Sequence, residues 1–432
     1  MRRGGAALGT ALLLAATAIG AVRADVLIPP WVQQGDVDSP SWARSVVPAT
    51  EDGGRPQDLA LYVEPSRASA RRGETWPGAP LPFYGSKRGS GCSGRFWLVG
   101  PLAWTCSDDA RLSPDSPLFA PPVAGRDGLW LEYFFVRPEG ASAYASLEAA
   151  AEGAEDRELE GGWAVGVVEA KTIADERWAQ TREGLFIAMH DLVPARPSSF
   201  HGETIGDGSI DFAWVVADRA GVWSSPVPAK TPSGARGNSP SGARGRFERV
   251  TVHEESGPMV RIDDGMWMLA RDLARPSIAP PPKEVEKAAE RWIDIDIASQ
   301  TLVAYEGSRP VYATLVSTGR GAAGSEGATP VGTHRIWVKL VASDMDNVER
   351  EDVEQHYSMQ DVPYVQFFDG SVAIHGTYWH GDFGRVHSHG CVNLAPLDAL
   401  WLFSFTEPRL PDGWAAAFPT PLDQEGSVVR VR

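Results

Sequence analysis

Between Ala373 and Asn393 the chain reads AIHGTYWHGDFGRVHSHGCVN, which holds four of its nine histidines and one of its three cysteines. These residue types can do nucleophilic chemistry. A thiol ionises near pH 8.5 in the absence of a partner, so only a minority is thiolate at about neutral pH. An imidazole at His375 or His389 can stabilise the thiolate of Cys391 as an ion pair and later protonate a leaving amine. On an extended segment alternate side chains share a face, so His387, His389 and Cys391 are expected to project together. Gly390 allows close approach of a substrate, and the amides of Gly390 and Cys391 can donate to an oxyanion. The set suits cysteine acyl transfer. His375, His380, His387, His389 and Cys391 are also zinc-ligand types, although Ser-His-Gly-Cys is not a common zinc spacing.

Such a set needs a rigid support, and the flanking sequence supplies strands. Residues 291–297 (RWIDIDI) alternate as a half-buried strand should. Ser299-Gln300 makes a turn, Thr301 to Tyr305 returns, and Val311 to Thr318 follows, a meander and not a βαβ unit. Pro363 to Phe368 and Val372 to His375 add strands, and helix is confined to about Pro396 to Phe403.

At 432 residues, with 45 Gly and 34 Pro, the chain should form several small β-rich domains. Arg2 and Arg3, an apolar run from Ala6 to Val22 and Val22-Arg23-Ala24 read as a secretory signal over 1–24. No stable membrane insertion is expected after cleavage. The formal charge of −16 falls to −19 without Arg2, Arg3 and Arg23. An acidic surface argues against nucleic-acid partners. Export favours a disulfide between Cys92 and Cys106, which flank a strand-like FWLV, and leaves Cys391 unpaired.

Residues 25–60 read as a flexible leader. An internal repeat follows: GLFIAMHDL at 184–192 matches GMWMLARDL at 265–273, each with Arg-Pro a few residues later. Three stretches, 61–117, 128–197 and 211–277, are similar to bacterial SH3-like domains. That resemblance implies tandem small β-barrels that hold cell-wall glycan or simply support the next domain. The hexamer PSGARG occurs at 232–237 and 240–245, a flexible loop. The Pro-rich 278–290 reads as a linker.

The segment 291–431 resembles the L,D-transpeptidase (YkuD) catalytic domain. The resemblance rests on His375-Gly376, then Ser388-His389-Gly390-Cys391-Val392-Asn393, with Thr329-Pro330-Val331-Gly332 upstream. It implies a C-terminal β-sandwich after the modules, a mainly β chain overall, located in the periplasm or cell envelope. It also implies Cys391 as nucleophile, His375 as general base and acid, and His389, Ser388 and Asn393 shaping the site. Tyr378 to Arg385 would form a lid or acceptor-side wall, with Arg385 meeting a substrate carboxylate and the Gly376 carbonyl orienting the imidazole. By residue type alone, Trp379 and Trp104 are the two tryptophans to test for ligand contact. The substrate would be a peptidoglycan stem tetrapeptide, its terminal D-alanine released and its acyl group passed to an amine. Water as acceptor would make a carboxypeptidase or hydrolase, and a protein as acceptor an anchoring enzyme. No cofactor or metal is implied. A non-catalytic wall-binding protein and a zinc-binding domain are the readings of another class. His190, His201, His253 and His356 read as surface or structural residues, and the acidic run 344–354 lacks the spacing of a calcium loop.

Overall fold

The computed structural model describes residues 43–49, 57–173, 175–226, 239–349 and 356–432. The fold is mainly β, with α-helix only at Leu147–Glu152 and Pro396–Phe405 among those residues. The signal segment 1–24 lies outside them. No helix of the described residues is long and apolar enough to cross a membrane.

Two sheets enclose the main core of the C-terminal segment. In the first, Arg291–Asp296, Thr301–Glu306 and Arg309–Leu315 form the antiparallel meander, extended by Val428–Val431 and Gly332–Arg335. The second pairs Val338–Asp346, Ser358–Asp369, Val372–Gly376 and Val392–Leu394. Ile293, Ile295, Leu302 and Ala304 of the first meet Tyr364, Phe368, Ile374, Val392 and Leu394 of the second. Burying these apolar faces against each other drives the sandwich together.

The opening strand is not half-buried as its alternation implies. Asp294, on the expected solvent face, is only 1% exposed. It accepts hydrogen bonds from Arg430 at 2.6 Å and Arg432 at 2.9 Å. Trp292, also on that face, packs with Phe212, Trp214 and Ala274 from upstream. A buried charge is tolerated where it is paired, and here two guanidiniums pair it.

The helix Pro396–Phe405 starts with Pro at its first turn, where the missing N–H costs nothing. Its far end is held by Lys339, fully buried, whose Nζ donates to Phe403 O at 2.6 Å and Thr406 O at 2.9 Å. Burial pushes the ammonium down to about 7. Lys339→Ala is expected to lose about 2–4 kcal/mol, through orphaned carbonyls and a cavity. Urea unfolding should show a lower midpoint at unchanged slope, and an unchanged midpoint would contradict the role.

The upstream stretches are stitched to this sandwich, not strung before it. Arg71–Thr75 pairs with Trp414–Ala417, and Ala164 bridges to Met359, so one 17-stranded ladder runs through both parts. Three small cores lie within 46–110, 134–192 and 213–268, the first closed by Trp414 and Ala417. No ladder among the described residues closes into a barrel, so the closed SH3-like barrels expected from sequence are not seen. The repeat does have a structural counterpart. Phe186–Ala188, a 3-10 turn and Leu192–Pro194 match Trp267–Leu269, a 3-10 turn and Leu273–Ala274.

Three segments expected to be loose are ordered where described. Ser45–Pro48, placed in the leader, is a strand between Leu81–Pro82 and Ala110–Ser113. Gly242–Gly245, in the second hexamer, pairs with Arg219–Val222, while the first hexamer lies outside the described residues. The 278–290 linker is tied down by Ala279 N–H to Tyr305 Oη at 2.9 Å and Arg335 to Glu290 at 3.0 Å. Proline-rich composition leaves backbone groups free for partners that only the fold supplies.

Cys92 and Cys106 are joined by a disulfide. Serine at both positions is expected to cost about 3 kcal/mol by the loop-entropy argument. Thermal unfolding with proteolysis should show the loss within 61–117; equal resistance to protease would contradict it.

Candidate active site

Strand Val372–Gly376 lies parallel to Val392–Leu394, with His375 level with Asn393 and Ile374 level with Val392. This register sets Cys391 beside Ala373, whose N–H reaches the Cys391 sulfur at 3.5 Å. Trp379 lies beside the imidazole and packs on the same apolar cluster as the thiol. Its ring stacks on His375 with centroids 5.7 Å apart, and it packs in one apolar cluster with Cys391, Val362, Val365 and Ala373. The thiol and His375 therefore share one side of the sheet.

His375 is buried, and its Nδ1 donates to Gly376 O at 3.0 Å. That bond fixes the proton on Nδ1 and leaves the Nε2 lone pair to act as a base. Desolvation pulls the ring down to about 4, against an opposing contribution from the Gly376 carbonyl. Burial pushes the half-buried Cys391 thiol up, with the Ala373 amide opposing. Both groups rest neutral. Desolvation penalises both charges, so burial opposes the thiolate–imidazolium pair expected from sequence.

Ser388 to Cys391 is a turn, not the extended run that alternation requires. Gly390 takes φ +128, a left-handed-side conformation that glycine adopts without strain. The histidines therefore separate. His389 is exposed and stacks on Tyr357 at 6.0 Å, while His387 turns to Asp382 at 3.1 Å. The Ser388 hydroxyl donates to Cys391 O and accepts from Gly390 N–H at 3.1 Å. The Gly390 amide is therefore committed and not available to an oxyanion in this arrangement. No described hydrogen bond engages the Cys391 amide.

The turn is braced from below. Thr329 Oγ1 donates to Gly390 O at 2.8 Å and accepts from Gly319 N–H at 2.9 Å. Thr318 O accepts from the amides of His387 and Ser388. Thr318 is in turn held by buried Gln300, through its amide N–H and its hydroxyl.

Asn393, buried beside His375, faces His380 Nε2 at 2.8 Å. Asp382 N–H occupies His380 Nδ1 at 3.1 Å, so Nε2 of the neutral ring carries the proton and donates. The amide oxygen of Asn393, otherwise without a partner, is the acceptor that this requires. Burial first, then His387, holds His380 down at about 3. His380, Asp382 and His387 also place three possible metal ligands within 4.8 Å of one another. Hydrogen bonds to Asp382 N–H, Asn393 and Asp382 carboxylate already occupy both nitrogens of His380 and one of His387, which accounts for the cluster without an ion.

Two expected wall residues face elsewhere. Tyr378 is fully buried, stacked on Tyr133 at 3.9 Å, with its hydroxyl on Gln360 O. Arg385 donates to Val216 O at 2.7 Å and Asp218 at 2.9 Å, so it is not free for a substrate carboxylate. A Cβ at Gly376 would crowd Pro363 and Ala399 at 3.0 and 3.2 Å.

Residues 290–430 match the family model of the L,D-transpeptidase catalytic domain, YkuD. This segment is a YkuD domain. A comparison with curated proteins finds no match. Solved structures similar to the chain include an Enterococcus faecium L,D-transpeptidase mutant, at 21% identity, covering 33% of this chain and 50% of that one with a TM-score of 0.26. An L,D-transpeptidase from Xylanimonas cellulosilytica is 21% identical over 36% of this chain and 64% of that one, TM-score 0.24. One from Mycobacterium smegmatis is 15% identical over 62% of this chain and 99% of that one, TM-score 0.27. The chain thus spans less than two-thirds of the length of the first two.

Sequence reasoning gave Gln300 only a turn, Asp382 only a place in the 378–385 wall and Thr329 only a place in a motif, and had no role for Asp218. In the YkuD domain Thr329 and Gln300 support the Cys391 turn from a loop and a turn about 60 and 90 residues earlier in the sequence. Only the two-residue spacing of His380 and Asp382 was a local signal.

Proposed function

We propose that the chain is a peptidoglycan L,D-transpeptidase of the cell envelope, acting through an acyl-enzyme on Cys391. What supports this reading above all is the placement of the Cys391 thiol and the His375 imidazole on one side of a YkuD sheet, with Nε2 left unprotonated. Nε2 takes the thiol proton as sulfur bonds to the carbonyl carbon of the third stem residue. The Cys391 amide donates to the resulting oxyanion. His375 then gives its proton to the nitrogen of the terminal D-alanine as the C–N bond breaks. An acceptor amine loses a proton to the same ring as it attacks the thioester, and the thiol is restored. Neutral groups at rest suit this cycle, since each charge appears only as a bond forms.

Incubation of the protein with disaccharide-tetrapeptides, read by mass, tests the proposal. The expected products are free D-alanine and a 3→3 linked dimer. Tripeptide monomer alone would make the protein a carboxypeptidase, and no change in the tetrapeptide would contradict the reading.

A further inference from the structure

The loop over the active site, 378–387, is held by both neighbouring upstream stretches. On one side Tyr133 stacks on Tyr378. On the other, Arg246 reaches in from the 211–277 stretch. Its Nη2 donates to Phe383 O at 3.0 Å and Gly381 O at 3.4 Å. The same guanidinium meets Asp218 at 3.2 Å and lies over Phe247 at 4.8 Å, so the fork is aimed before the loop arrives. Phe383 is buried next to Phe200 and Trp214 in a core shared with that stretch. At Gly384 a Cβ would stand 2.4 Å from Val216 Cγ1, so only glycine lets the loop seat this closely.

The carbonyls held by Arg246 flank Asp382, and Asp382 N–H sets the His380 ring. His380 in turn bonds Asn393, which is paired across the ladder with His375 and lies two residues after Cys391. Hydrogen bonds joined through the 381–382 peptide unit thus run from the upstream stretch to the strand that follows Cys391. An arginine suits the first link because its planar fork holds Asp218 with one nitrogen while the other serves both carbonyls.

We propose that Arg246 is a positioning residue for chemistry at Cys391, fixing the 381–383 carbonyls and through them the His380–Asn393 bond. The 211–277 stretch is then part of the catalytic apparatus and not a detachable anchor. The inference rests on the acyl-transfer reading given above.

The test follows acylation of the full chain by a carbapenem, with intact mass read over time and concentration. Arg246→Ala is expected to slow the saturating rate about tenfold to a hundredfold, the loss that small misplacement of a reacting group brings, with little change in the half-saturating concentration. Arg246→Lys, which keeps the charge but not the fork, should lose severalfold, and is read alone if the alanine variant does not fold. Arg271→Ala, a loss of charge on the exposed surface of the same stretch, should acylate as wild type does. Nitrogen-15 NMR of the histidine rings should show the His380 Nε2–H tautomer in wild type and averaging in Arg246→Ala, a change that a general loss of stability would not produce. A folded Arg246→Ala protein acylated at the wild-type rate, or Arg246→Lys at that rate with an unaltered His380 signal, would overturn the inference alone. No adduct on the wild-type protein would overturn the acyl-transfer reading and this inference together.

Discussion

Cys391→Ala should yield no detectable acyl-enzyme and no cross-linked product, a loss of at least about four orders of magnitude, as for a removed nucleophile. The fold should survive. Cys391 is half-buried at the edge of its apolar cluster, and alanine removes one sulfur from the Ala373 amide and that cluster. Replacing it with serine is expected to be nearly as damaging, because a hydroxyl in this desolvated position is far harder to ionise than a thiol. Product analysis beside an unfolding curve separates loss of chemistry from loss of structure. Turnover in a folded alanine variant would place the nucleophile elsewhere.

His375→Gln is the second large effect, about a hundredfold to ten-thousandfold at neutral pH, the usual range for a positioned general base. Its pH dependence carries more information than its size. In wild type the working form is neutral His375, and burial holds that ring at about 4. Acylation should therefore rise as pH climbs through about 4 and then stay level through neutrality. Without the imidazole, only spontaneously formed thiolate reacts. Burial has raised the Cys391 thiol above its ordinary value. The variant's rate should then grow about tenfold per pH unit through neutral and mildly alkaline conditions. The gap between the two proteins narrows as pH rises. A variant whose rate stayed level over the same pH range would contradict this role for His375.

The proposed nucleophile and base could be picked out because their residue types are local: a thiol, histidines and a glycine within one short segment. The faces they use were not. Alternation put His387, His389 and Cys391 together, but one positive φ at Gly390 sends His389 to the surface and His387 toward Asp382. Asp294 read as solvated because nothing in its neighbourhood announces Arg430 and Arg432, more than 130 residues later. Arg385 looked like a free guanidinium for the same reason. Its partner Asp218 lies 167 residues earlier. The meander strands, the repeated strand–turn–strand unit and the short helix are set by local pattern and were readable. The stitching of upstream strands into the catalytic sheet depends on edges meeting in space, which no periodicity encodes.

That difference bears on how the whole chain works. The active-site loop is shaped from one side by Tyr133 and from the other by Arg246 and Val216. Removing either stretch would expose Phe383 or Tyr378, both fully buried, to water. An isolated 290–430 fragment should accordingly be less stable and less active than the full chain.

The most direct measurement is peptide mapping of the full chain quenched in acid during turnover on a tetrapeptide donor. Mass spectrometry should find the tripeptide acyl group on Cys391, present in wild type and absent from Cys391→Ala. Product formation with no acyl group on Cys391 at any quench time, or with the group on another residue, would contradict the account.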